Sequence, residues 1–189
     1  MKPNLLYFLL YFLFIFFFDI FHATTAHNLI HETCKKCAQN DSNVDYKFCA
    51  TALQSIPRSR NASLHQLGII SINLNRSNVT STRSYINKLL NRKMKKNKKL
   101  DYDPYLRACL VDCFDLYSDA VSTLKQAITD YKSNHYEDAN FQVSSVMDAS
   151  TACEDGFKEK QGVVSPLTKR NNDQFQLSAI SLSIINMVR

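Results

Sequence analysis

Residues 110–157 read LVDCFDLYSDAVSTLKQAITDYKSNHYEDANFQVSSVMDASTACEDGF. Apolar positions recur here in steps that alternate between four and three, which keeps one face of an α-helix apolar. The pattern covers Leu110, Phe114, Tyr117, Val121, Leu124, Ile128 and Tyr131, and then Ala139, Val143, Val146, Ser150, Cys153 and Phe157. A polar break at Ser133 and Asn134 separates the two runs. The stretch therefore predicts two helices, 105–132 and 136–158, that form an antiparallel hairpin.

Cys113 and Cys153 lie at equal distances from this predicted turn, because the midpoint of the two positions is residue 133. Residues placed in this way face each other at the same height on antiparallel helices. A disulfide can then join them without bending either backbone. We therefore expect a Cys113–Cys153 bond and an oxidising compartment.

The first 26 residues have the features of a secretory signal peptide. Lys2 gives a short basic start, residues 5–18 are almost purely apolar, and Thr24 and Ala26 offer a small-residue cleavage site. An uncleaved membrane anchor is the alternative, but about 14 apolar residues are fewer than the roughly 20 that a spanning helix needs. We expect cleavage after residue 26, secretion, and a mature domain of residues 27–189 that has no membrane attachment.

Glycine and proline are scarce, with 3 Gly and 4 Pro in 189 residues. This composition provides few of the tight turns that strands need and predicts an all-α fold. We expect an N-terminal helical hairpin within residues 27–57 and an antiparallel four-helix bundle within 63–189. The predicted bundle helices span 63–90, 105–132, 136–158 and 172–188. The inner sides of the first and last are Leu67, Ile70, Leu74, Val79, Ile86 and Leu89, and Phe175, Ala179, Leu182 and Ile185.

The six cysteines are an even number, which in a secreted chain favours disulfide pairing over free thiols. With Cys113 and Cys153 joined, three pairings remain for the other four, which are Cys34, Cys37, Cys49 and Cys109. Their spacing alone does not select one pairing.

Three segments resemble the plant invertase and pectin methylesterase inhibitor family. They are NLIHETC at 28–34, ACLVDCFDLYSDAV at 108–121 and TACEDGF at 151–157. A fourth segment, GVVSPLT at 162–168, is similar to a subgroup that includes pollen-allergen members described as invertase inhibitors. The resemblance covers nearly the whole mature chain, and it implies a helical hairpin that caps a four-helix bundle.

The resemblance also implies two disulfides, Cys34 with Cys49 inside the hairpin and Cys113 with Cys153 between the second and third bundle helices. Cys37 and Cys109 are additions to the family's usual four-cysteine pattern. We hypothesise that these two residues form a third bridge between the cap and the second bundle helix. Two unpaired buried thiols are the alternative.

The function that the resemblance implies is inhibition of a plant cell-wall enzyme, either pectin methylesterase or acid invertase, by stoichiometric docking in the apoplast. The chain would then be no enzyme and would need no cofactor. A secreted storage, allergen-like or ligand-carrying bundle that inhibits nothing is the alternative class. The sequence does not indicate the oligomeric state.

The candidate contacts with the target lie in the connection between the second and third bundle helices. In the family's invertase inhibitors this connection is implicated in filling the sucrose pocket. Here it reads SNHYED (133–138) and lacks the Pro-Lys-Phe motif of those inhibitors. The candidate contacts are Ser133, Asn134, His135 and Tyr136. Tyr136 is the best of them if exposed, and packing of its ring against the hairpin end is the alternative.

Other chemistries are less well supported. His27, His31, Cys34 and Cys37 have helical spacing, but thiols of a secreted chain are normally oxidised, so we expect no metal site. We expect the acid pairs Asp112 with Asp115, and Glu154 with Asp155, to be solvated surface. The basic run RKMKKNKK (92–99) reads as a solvated linker, and attraction to polygalacturonate or an acidic enzyme surface is its functional alternative. No nucleic-acid-binding motif accompanies the charge.

Four Asn-x-Ser/Thr sequons fit passage through the secretory pathway. The candidate glycosylation sites are Asn40, Asn61, Asn75 and Asn78. Asn75 and Asn78 are three residues apart, so glycans on both would require one exposed helix face.

Overall fold

The computed structural model describes residues 11, 13–14, 29–91 and 103–189, and every regular element of residues 29–91 and 103–189 is helical. Residues 29–40 form α1 and Tyr46–Gln54 form α2, and a 3₁₀ helix at Pro57–Asn61 leads into the bundle. The bundle helices are α3 (Leu64–Leu90), α4 (Pro104–Lys132), α5 (Tyr136–Lys158) and α6 (Thr168–Val188). The predicted all-α fold is confirmed, and only α6 begins clearly earlier than expected.

Nearly all of the predicted signal peptide and the basic run 92–99 lie outside the described residues. Within the part of the chain that the structure does describe, no helix is both long and apolar enough to cross a membrane.

Local sequence signals explain where the bundle helices begin. At the start of α3 the Ser63 hydroxyl accepts from the Gln66 amide at 3.3 Å, and the Gln66 side chain accepts from the Ser63 amide at 2.8 Å. This capping box satisfies two amides that have no partner within the helix. At the start of α4 the Asp103 carboxylate accepts from the Tyr105 amide at 2.9 Å, and Pro104 occupies the first helical position.

Each bundle helix packs against two neighbours: α4 against α3 and α5, and α6 against α5 and α3, so that α3 and α5 lie diagonally opposite. The predicted inner side of α5 is confirmed, because the buried residues of this helix are the six predicted ones. In α4, the predicted Phe114 and Val121 are only partly buried. The residues that complete the buried side are Leu106, Cys109, Cys113, Ala120 and Ala127.

The predicted inner side of α6 is wrong in part. Phe175 and Leu182 are only partly buried. The residues that are buried are Asn171, Gln174, Leu177, Ser178, Ala179, Ile180, Ser181, Ile184 and Ile185. The physical reason is that α6 has two apolar neighbours: Ile185 belongs to the bundle core, whereas Ile180 and Ile184 pack with the hairpin.

The hairpin of α1 and α2 covers α6 and the first part of α3. Its buried apolar residues form one cluster with the two helices, and this cluster includes Ile30, Leu53, Leu67, Ile70, Ile180 and Ile184. Gln176 of α6 also fixes the hairpin loop, since its side chain accepts from the Asp45 amide at 2.9 Å and donates to the Asn43 carbonyl. The hairpin is therefore a second layer on one side of the bundle.

The structure contains the two disulfides that the resemblance implies. Cys34–Cys49 closes the hairpin, and Cys113–Cys153 joins α4 to α5 with Cα atoms 5.0 Å apart. The hypothesised third bridge is absent, because Cys37 and Cys109 are free and buried. The two thiols lie in different clusters: Cys37 hydrogen-bonds to Ser183 beneath the hairpin, and Cys109 donates to the Gly156 carbonyl at 3.4 Å in the bundle core.

Candidate functional site

The turn between α4 and α5 is short and hydrogen-bonded. Asn134 adopts a left-handed conformation with φ 63°, which asparagine tolerates better than most residues. The Ser133 amide donates to the Thr129 carbonyl at 3.1 Å, and the His135 amide donates to the Asp130 carbonyl at 2.9 Å. The predicted contacts Ser133, Asn134 and His135 are consequently exposed at one end of the bundle.

Tyr136 does not project from this turn. Its side chain is partly buried, and its hydroxyl donates to the Asn134 side-chain oxygen at 2.7 Å. The ring meets the Tyr131 ring edge to face, with centroids 5.2 Å apart, and lies 6.4 Å from the His65 ring. Tyr136 thus packs against the end of the α4–α5 hairpin, which is the alternative that the sequence left open.

Tyr131 joins α4 to the start of α3 at this end of the bundle. Its buried ring stacks on His65 with centroids 4.9 Å apart, and its hydroxyl donates to the His65 carbonyl at 3.2 Å. Burial raises the pKa of Tyr131 above its usual range. Gly68 makes room for the hydroxyl, because a Cβ atom at this position would lie 2.0 Å from the hydroxyl oxygen.

The outer side of α5 carries an exposed aromatic residue that is not among the predicted contacts. Phe141 is 76% exposed and lies one turn beyond the start of the helix. It belongs to an exposed row, which we call the outer α5 face, of Asp138, Phe141, Ser145, Asp148, Ala152, Asp155 and Glu159. Phe141 was detectable in principle, since it is out of phase with the buried Ala139 and Val143. An apolar residue on the polar side of an amphipathic helix is such a signal.

The acid pairs do not form an acid–base site. Asp112 and Asp115 are exposed, and Asp155 forms an exposed ion pair with Lys158 at 2.8 Å. Glu154 is partly buried and accepts from the Asn171 amide group and the Thr168 hydroxyl, each at 2.7 Å. Its carboxylate therefore joins α5 to the start of α6.

Among the described residues, no group of three or more His, Cys, Asp or Glu side chains is placed to hold a metal ion. Cys34, one of the spaced candidates, is already joined to Cys49.

The sequons differ in exposure. Asn40 and Asn61 are exposed and Asn78 is partly buried. Asn75 is completely buried, and its side-chain amide donates to the Ser178 hydroxyl at 3.1 Å. A glycan on Asn75 is therefore incompatible with this fold, and the expectation for this sequon is corrected.

Residues 28–184 match the family model described as plant invertase/pectin methylesterase inhibitor. The chain belongs to this family. It is 42% identical to a Platanus acerifolia protein named "Putative invertase inhibitor", over 89% of this chain and 90% of that protein. It is 31% identical to Pectinesterase inhibitor 12 of Arabidopsis thaliana, over 87% of this chain and 90% of that protein.

The fold of the chain is similar to that of a solved family structure. A crystal structure of a mutant pectin methylesterase inhibitor from Arabidopsis superimposes with a TM-score of 0.62 at 23% identity, over 75% of this chain and 89% of that one. The family consists of enzyme inhibitors, so the predictions of family and of a chain that is no enzyme are confirmed. The relatives are named for two different targets.

Proposed function

We propose that the chain is an exported protein inhibitor of a plant cell-wall carbohydrate-active enzyme and that it acts by one-to-one docking. Phe141 on the outer α5 face is the observation that supports docking most directly. An exposed aromatic ring is a common source of binding energy at protein interfaces. At 76% exposure the ring of Phe141 is open to a partner surface.

Rigidity supports the same proposal. The Cys113–Cys153 bond holds α5 to α4, and the buried row on the inner side of α5 fixes the rotation of the helix about its axis. A surface that is already ordered loses little conformational entropy on association, so more of the contact energy contributes to affinity.

The charge of the outer α5 face favours a basic partner surface. Asp138, Asp148 and Glu159 lie along the same exposed side as Phe141, whereas Asp155 is already paired with Lys158 at 2.8 Å. Interface charges of opposite sign accelerate association and select the orientation of the partner.

Two targets fit the proposal, and a different observation favours each. Acid invertase is favoured by the 42% identity to the Platanus acerifolia protein. Pectin methylesterase is favoured by the turn, in which Tyr136 packs inward and residues 133–138 offer no projecting apolar side chain for a pocket. For pectin methylesterase, the outer α5 face would then provide a larger contact surface than the turn.

The test is a titration of oxidised protein, residues 27–189, against an acid invertase and a pectin methylesterase at mildly acidic pH. We expect a linear loss of one activity that ends at one inhibitor per enzyme. Full activity of both enzymes in the presence of excess protein would contradict the proposal and favour the non-inhibitory bundle.

A pair of variants locates the docking face. Phe141→Ala is expected to raise the inhibition constant about 30-fold, the size of a typical hot-spot loss of about 2 kcal/mol. Val164→Ala is the control, because Val164 is 80% exposed in the α5–α6 connection at the other end of the bundle. Equal effects of the two variants would mean that the outer α5 face is not the contact.

A further inference from the structure

A groove between α3 and α4 is lined by three cations. Its volume is about 550 Å³, and its lining residues are Arg76, Thr80, Arg83, Ser118, Val121, Ser122 and Lys125. We call this surface the basic groove. It lies away from the outer α5 face, because α3 and α5 are diagonal in the bundle.

The cations of the groove are available to a ligand. Within residues 29–91 and 103–189, Arg76, Arg83 and Lys125 form no ion pair with a carboxylate. Arg83 is nevertheless held in place, since its Nε donates to the Ser118 hydroxyl at 2.8 Å and its guanidinium lies 5.0 Å from the centre of the Phe114 ring. Among the described residues no other partner contacts the terminal nitrogens of Arg83, which can therefore bind an anion.

The hydroxyl groups of the groove act as acceptors. The Thr80 hydroxyl donates to the Arg76 carbonyl and the Ser122 hydroxyl donates to the Asp119 carbonyl, both at 2.8 Å. Each proton is thereby used within its own helix, and the oxygen lone pairs remain for an incoming donor. A ligand that satisfies the whole groove must therefore carry both anionic groups and hydrogen-bond donors, and sugar hydroxyls are such donors.

The spacing of the cations requires more than one anionic group. The hydrogen bond from Arg83 to Ser118 places these two residues at the same height on the antiparallel helices α3 and α4. Arg76 lies seven residues before Arg83, and Lys125 lies seven residues after Ser118, so Arg76 and Lys125 also share one height. A seven-residue step along a helix is about 10 Å. One end of the groove thus presents one cation and the other end presents two.

We propose that the basic groove binds an acidic oligosaccharide, a chain of sugars that carry carboxylates and free hydroxyls. The carboxylates pair with the two groups of cations, and the sugar hydroxyls donate to Thr80 and Ser122. Binding here leaves the outer α5 face uncovered, so the protein can attach to an anionic polysaccharide while it docks on another protein. The site does not depend on the inhibitory activity.

The test measures binding of a galacturonate oligomer to the oxidised protein by calorimetry at low ionic strength. We expect Arg76→Gln and Lys125→Gln each to weaken binding about tenfold, as expected for loss of one charge-assisted hydrogen bond. Neither side chain has a partner within the described residues, so both variants should fold normally, which circular dichroism checks. Lys88→Gln removes an exposed cation of α3 outside the groove and should leave the affinity unchanged.

Three results would overturn the inference: no binding of the oligomer, an equal loss with Lys88→Gln, or equally tight binding of the fully methyl-esterified, uncharged oligomer. Inorganic phosphate that binds as tightly as the oligomer would overturn the carbohydrate assignment. Inhibition by the Arg76→Gln and Lys125→Gln variants should remain unchanged, which separates this site from the proposed inhibitory function.

Discussion

The contact between α4 and α5 differs in chemistry from the contact between α3 and α6. The first is mainly apolar and is joined by the Cys113–Cys153 bond. The second contains a buried polar cluster, in which Gln174 donates to the side-chain oxygens of Asn75 and Ser178. The two sides also differ in their surroundings, since the hairpin covers α6 whereas the outer side of α5 faces solvent. Buried hydrogen bonds join α3 to the covered helix α6. The Cys113–Cys153 bond holds α5, the helix that presents the exposed face.

Removal of the disulfides has the largest expected effect. Cys113→Ala with Cys153→Ala should lower the free energy of unfolding by about 4 kcal/mol, and Cys34→Ala with Cys49→Ala by about 3 kcal/mol. The first loss is larger because that bond closes a longer loop, 40 residues against 15. Urea denaturation of both double variants measures the difference. A larger loss from the hairpin pair would show that the cap, rather than the α4–α5 contact, carries the covalent stability.

Gly68→Ala should cost about 3 kcal/mol, because the new Cβ overlaps the buried Tyr131 ring and forces repacking. Gly156→Ala is the matched control, since its Cβ would meet nothing within 4 Å. The control should be neutral or should stabilise α5 by up to about 1 kcal/mol. Thermal unfolding of the two variants tests this, and similar melting temperatures would contradict the close packing at Tyr131.

Asn75→Ala should cost about 2 kcal/mol, because it leaves the buried amide of Gln174 without its main acceptor. Asn75→Leu with Gln174→Met replaces both polar groups and should recover most of that loss in a denaturant titration. If the double variant is less stable than Asn75→Ala, the polar cluster contributes net stability to the α3–α6 contact. The polar α3–α6 contact would then stabilise the fold, as the apolar α4–α5 contact does.

The difference between α5, which has one buried face, and α6, which has two, explains which buried rows the sequence predicts. The buried row of α5 was predictable because one buried face gives one clear period. The rows of α6 were not, because the hairpin adds a second buried face and the two periods overlap. The sequon at Asn75 carries no information on burial, and the Cys37–Cys109 bridge failed because cysteine number does not encode distance. Phe141 lies outside the apolar row of α5, so the period of that row does not identify it.

The thiol under the hairpin allows a smaller and more local test of the covered side. Burial raises the pKa of Cys37 from 9.0 to about 11, although the hydrogen bond to Ser183 acts in the opposite direction. The unfolded thiol therefore ionises first. Its contribution to stability is complete below pH 9 and is lost as the pH rises through 11.

Cys37→Ala isolates this contribution from other groups that ionise at high pH, such as Cys109, Tyr117 and Tyr131, whose pKa values are also raised by burial. Between pH 9 and pH 11 the variant should lose less stability than the native chain, by on the order of 1 kcal/mol. Denaturant titrations at both pH values give the difference. Equal losses would mean that water reaches Cys37 and that the hairpin does not cover α6 tightly.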